Sequence, residues 1–140
     1  MLATTHVLVG AGAGVLVHDA LMAFLLSIML HLLIDKLPHY WPPAQKSKTI
    51  LTLVDWSIAV LILSLLIVYP IPNQASTVAG AFGGLLVDLL LIGVPFLRKS
   101  RVGQWHTNRQ PHKAKISFMA TDLIFIVPIA ICLLVEATSR

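Results

Sequence analysis

Three long apolar runs, each broken by one acid, set the pattern of this chain. Ile50–Tyr69 carries only Asp55, Ala75–Leu97 only Asp88, and Ile116–Val135 only Asp122. Each is long enough to cross a hydrocarbon core of ~30 Å, which takes ~20 helical residues. In lipid, only helices and closed barrels satisfy every backbone group, and all-round apolar runs of this length predict helices. The stretch from Leu2 to Leu37 is also apolar but contains the polar pair His18–Asp19. It predicts two shorter helices, about 2–17 and 20–36, each ~22–26 Å long and slightly short of a bilayer. One long tilted helix is the other reading of this stretch. Gly10 with Gly14, and Gly80 with Gly84, form small-xxx-small pairs that let helices approach closely. The GAGAG run at residues 10–14 precedes no strand–helix unit, so it reads as packing rather than a nucleotide loop. The expected fold is all-α: a polytopic integral membrane bundle of four or five helices. It would be a single domain over residues 1–140, an N-terminal helical hairpin followed by three transmembrane helices.

Composition strengthens this expectation. Hydrophobic residues make up 57% and charged residues 11%, against ~45–50% and ~25% in soluble domains. The lone Cys132 provides no disulfide framework. The first lysine or arginine is Lys36, so the N-terminal stretch lacks the cationic region of a secretory signal. Threading five helices back and forth gathers every lysine and arginine except Arg140 on one side, with the basic loops 38–49 and 98–115. The positive-inside rule makes that side cytoplasmic, in a plasma or inner membrane. Trp41, Trp56 and Trp105 fall near the same boundary, as an aromatic belt would. The net charge of +4 then implies attraction to anionic lipid headgroups, and no nucleic-acid partner is expected.

The candidate chemistry centres on HLLIDKLPH, residues 31–39. His31 and Asp35 are four apart and share a helix face, and Pro38 stops the helix so that His39 can fold back toward them. Imidazole and carboxylate donors together suit a divalent metal, zinc above all. The hairpin returns His6 to the same side, and the rise per residue puts Asp55 ~8 Å and Asp88 ~15 Å below the cytoplasmic boundary. A carboxylate at such depth costs ~2.5–3.5 kcal/mol, so each needs a partner, and a shared cation satisfies several at once. The expected ligands are His6, His31, Asp35, His39 and Asp88. Asp55 would orient a histidine or act as general base, with His106 and His112 as further catalytic candidates. Arg98, Lys99, Arg109 and Lys113 would attract phosphate groups. Plainer roles compete with these. The segment WHTNRQPHK around His106 and His112 suits a headgroup-facing surface, His18 an interfacial anchor, and Asp122 a helix-packing acid.

At TTH, HLLIDKLPH and GGLLVD the chain resembles the YdjM-like group of small membrane-bound metal-dependent hydrolases. Thr5, His6 and Gly10 match that group's opening element. His31, Asp35, Pro38 and His39 match its first motif loosely, and Gly84 with Asp88 its later aspartate helix. The group's PDxDH wording is absent, and Val87 stands where a proline usually precedes the later aspartate. The resemblance implies distant similarity to zinc-dependent phospholipase C, whose HxxxD pair holds metal. The expected activity is hydrolysis of a phosphoester or lipid-borne ester at the cytoplasmic face, with membrane phospholipid as partner or substrate. Two alternatives stand beside it. One is a non-enzymatic transport, proton-relay or assembly protein, oligomeric if it transports, that uses its intramembrane acids structurally. The other is a metal that only holds the fold together.

Overall fold

The computed structural model describes residues 2–37, 45–71 and 73–109, together with residues 123, 124, 126, 127 and 129–131. His39, His112, Lys113 and Asp122 lie outside the described residues, as do most of the expected helix 116–135 and the side chain of Arg109. The described elements are all helical: α1 (Ala3–Val17), α2 (Ala20–Ile34), α3 (Gln45–Val68), α4 (Gln74–Gly93), α5 (Pro95–Lys99) and α6 (Arg101–Arg109).

The N-terminal stretch is a hairpin of two helices, and the polar pair between them supplies both caps. His18 adopts φ 62°, a left-handed conformation, and its N–H donates to the Gly14 carbonyl to close α1. Asp19 opens α2 by accepting the Met22 N–H at 2.8 Å. The start of α1 is capped from another helix. The carboxylate of Asp55, on α3, accepts the N–H groups of Ala3 at 2.6 Å and Thr4 at 3.0 Å. The Thr4 hydroxyl donates to the Asp55 carbonyl at 3.1 Å. A negative charge at that end also suits the helix dipole.

Helix α4 is the hub. It packs most extensively on α1, then on α2, and α3 leans on α1 and α4. The contact with α1 runs along the two glycine pairs. A methyl group at Gly10 would meet the Gly80 carbonyl, one at Gly14 the Ser76 carbonyl, and one at Gly84 the His6 carbonyl. The backbones therefore touch, as small-xxx-small pairing predicts.

The apolar run 75–97 does not continue as one helix. Val94 precedes Pro95, whose ring disfavours helical backbone in the residue before it, and Val94 is extended at φ −119°. Pro95 then starts the short helix α5. Residues 101–109, expected as part of a loop over 98–115, form α6 instead. Ser100 accounts for it: its hydroxyl accepts the Gly103 N–H at 3.2 Å, an N-cap that the surrounding basic residues obscure in the sequence. Helix α3 likewise begins inside the expected loop 38–49, at Gln45.

Several polar side chains are buried beside a small apolar core that includes Val7, Leu66 and Leu85, while many large apolar side chains lie outside. The largest fully buried side chains are His6, His31, Val7, Thr5, Thr77 and Ser27. Leu21, Met29, Leu53, Leu61 and Val68 are all exposed. Exposed Ser57 and Ser64 turn their hydroxyls back onto the Leu53 and Val60 carbonyls, each at 2.8 Å. Two helical segments, Lys46–Val68 and Gln74–Gly93, are long and apolar enough to cross a membrane, whereas α1 and α2 are shorter.

Candidate metal centre

Four helices converge on Asp35, the residue that ends α2. One turn earlier on α2, His31 places Nε2 3.3 Å from Asp35 Oδ2. From α6, His106 places Nε2 3.1 Å from the same oxygen. From α1, His6 Nε2–H donates to the other oxygen, Oδ1, at 3.1 Å. Asp88, on α4, completes the group: its Oδ1 lies 3.7 Å from His31 Nε2 and 3.9 Å from His106 Nε2. His6, His31 and Asp35 are buried, and the Asp88 side chain keeps 21% of its surface exposed. The three imidazoles form a stack, His6 on His31 at 3.8 Å between ring centres and His31 on His106 at 5.5 Å.

The protonation of His31 makes this cluster informative. Its Nδ1 lies 2.7 Å from the Gly84 carbonyl oxygen, which can only accept, so Nδ1 carries the proton. In neutral imidazole the other nitrogen, Nε2, then presents a lone pair. That lone pair is fully buried, has no hydrogen-bond partner, and faces the Asp35 and Asp88 carboxylates. Lone pair against carboxylate is repulsive unless a cation lies between them, either a metal ion or a second proton on the ring. A carbonyl that holds one ring nitrogen while the other points at a cation is the usual outer support of metal-binding histidines.

His31, Asp35, Asp88 and His106 could hold a metal ion: each offers a ligand atom, and the four atoms lie within 4.8 Å of one another. Tetrahedral zinc with bonds of ~2.0–2.2 Å sets its ligand atoms ~3.3–3.6 Å apart. The separations of 3.1 and 3.3 Å to Asp35 and 3.7 and 3.9 Å to Asp88 lie on either side of that spacing, within a group that extends to 4.8 Å. The residues present could therefore hold a metal ion.

Of the expected ligands, His31, Asp35 and Asp88 come together. His6 stands behind them, against the far oxygen of Asp35 and outside the four-residue group. His106, expected as a catalytic residue, lies among the potential ligands. Asp55 is spent elsewhere, with both carboxylate oxygens on the first turn of α1. Arg98 and Lys99 are exposed on α5. The contribution of Gly84 is a backbone carbonyl, which no side-chain pattern announces. The chain matches no family model, no curated protein and no solved structure.

Proposed function

We propose that this protein is a membrane-embedded, zinc-dependent hydrolase of a phosphoester or lipid-borne ester, working at the cytoplasmic face. One observation carries the reading: Asp35, Asp88 and His106, from the end of α2, from α4 and from α6, converge on His31, whose buried Nε2 has no hydrogen-bond partner and faces two carboxylates. A single proton on His31 would relieve that repulsion but would not require His106 to come in from a separate helix. A bound zinc ion would polarise a scissile ester and make water a nucleophile near neutral pH.

The chain's own residues have separable tasks. His31, Asp35, Asp88 and His106 would bind the metal, and the Gly84 carbonyl holds the proton of His31 Nδ1, which orients the ring and leaves Nε2 as the atom aimed at the site. His6 holds the Asp35 carboxylate in place through Oδ1, leaving Oδ2 for the site. Asp88 is the ligand-type carboxylate with exposed surface, so substrate enters on its side. The apolar exterior, the two membrane-length helices and the cation-rich segments at Lys46–Lys48 and Arg98–Arg101 support an integral membrane protein with its basic side inward. The resemblance to the YdjM-like group points the same way.

The test is metal analysis of purified protein beside His31→Ala and Asp35→Ala. The expected result is about one zinc per chain in the parent and at least a hundredfold loss of affinity in both variants. A parent that stays metal-free under zinc-replete conditions overturns the reading. Asp55, which caps a helix, favours a second reading in which buried acids serve structure and a metal only holds the fold. Chelation that melts the protein, with no ester turned over in the zinc-loaded form, would favour that reading.

A further inference from the structure

An apolar cleft of about 470 Å³ adjoins the cluster, lined by Leu32, Val87, Leu90, Leu91, Leu97 and Trp105, with His106 in its wall. Its volume lies within the ~300–1,000 Å³ of small-molecule sites. Resting on the metal reading above, we infer that this cleft holds one hydrocarbon chain of the substrate, an anionic phosphate-bearing membrane lipid.

Three observations combine to select that occupant. The cleft shares His106 with the metal-ligand group, so whatever lies in it has its polar end at the ligands. Its walls come from α2, α4, α5 and α6, and among the described residues their polar groups are His106, the Trp105 indole N–H and Ser100, whose hydroxyl already donates to the Leu97 carbonyl at 2.6 Å. A sugar or peptide would leave its polar groups unpaired there, whereas an aliphatic chain would not. Arg98, Lys99 and Arg101, exposed around the same turn, supply positive charge for an anionic head. Neutral lipids meet no such complement. Val87 and Asp88 are consecutive on α4, one in the cleft wall and the other in the cluster, so head and chain are recognised across a single helical step.

Lipid tails surround a membrane protein everywhere, so gain in apolar burial cannot distinguish this chain from bulk lipid. The distinguishing property is saturable, head-dependent occupancy. The experiment uses the full chain in detergent, with Trp41→Phe and Trp56→Phe leaving Trp105 as the sole tryptophan, and zinc bound. The probe is dodecyl phosphate brominated at the chain end, with bromododecane and inorganic phosphate as separate arms. The expected result is saturable quenching of Trp105 by the brominated phosphate, competed by unbrominated dodecyl phosphate. Bromododecane alone should quench only linearly with concentration, and inorganic phosphate should compete at least tenfold more weakly. The double variant Val87→Phe/Leu91→Phe fills the cleft and should weaken quenching at least tenfold while zinc affinity is unchanged. Leu61→Phe, on the exposed surface of α3, a helix that lends no residue to this cleft, should leave quenching as it is.

Quenching that never saturates, or that the filled cleft leaves intact, overturns the proposal. Equal competition by inorganic phosphate also overturns it, because the head alone would then be recognised. Failure of the metal reading is separate and shows as absent zinc binding, whatever the quenching does.

Discussion

At the scale of single residues, the chemistry depends on which partner each buried polar group has found. The i,i+4 spacing of His31 and Asp35 is legible in the sequence, because helical geometry alone brings them together. That each buried acid needs a partner is legible too, but which partner is not. Asp55 and Asp35 look alike in an apolar run, yet Asp55 meets two backbone N–H groups and Asp35 meets three imidazoles. Their substitutions should therefore separate. Asp55→Ala leaves two buried donors unpaired and should cost about 2–4 kcal/mol of stability, read from denaturant unfolding in detergent, with zinc affinity within about twofold of the parent. His6→Phe should do the reverse. It removes the support behind Asp35 and should lower zinc affinity by about 10–100-fold, the usual cost of losing an outer hydrogen bond to a ligand. Isothermal titration with zinc checks it, and an unchanged affinity would remove His6 from the site.

At the scale of helices, the elements were predictable where apolar pattern and caps agree. The hairpin break at His18–Asp19 and the glycine pairs of α1 and α4 follow from residue type, since few other residues turn a helix or let two backbones touch. Helix α6 is hidden because its residues are polar and basic, and only the cap at Ser100 marks its start. That cap matters for the site, since α6 delivers His106. Ser100→Ala should fray the first turn at a cost of ~0.5–2 kcal/mol. If α6 must be folded to present His106, zinc affinity falls with it, by up to about tenfold. Circular dichroism and zinc titration on the same variant should move together, and loss of helix without loss of affinity would separate α6 from the ligands.

Across the described residues, buried histidines and acids sit within a small-residue core while large apolar side chains cover the exterior, and the apolar exterior is what the composition foretells. Leu16 is 81% exposed and Val68 74%, while His6 and His31 are each 1% exposed. Such a surface is stable in lipid and a liability in water. The orientation can be read directly. Lys48→Cys and Arg98→Cys, each in a Cys132→Ser background, should react with a membrane-impermeant maleimide only after the membrane is opened. His18→Cys in the same background should react in intact cells. The reverse pattern would place the basic segments outside. The apolar exterior is legible from hydropathy, whereas the convergence of histidines from α1, α2 and α6 on the Asp35 carboxylate requires the fold.

Gly84 joins these scales. A side chain there would strike the His6 carbonyl, and its own carbonyl holds the proton of His31. A close approach of two helices and the tautomer of His31 thus depend on one residue with nothing to trim. Elsewhere a helix contact can loosen and a distant substitution restore it. At Gly84 such a compensating change would recover stability but not the register of the carbonyl, so selection for folding and selection for chemistry cannot be relaxed one at a time.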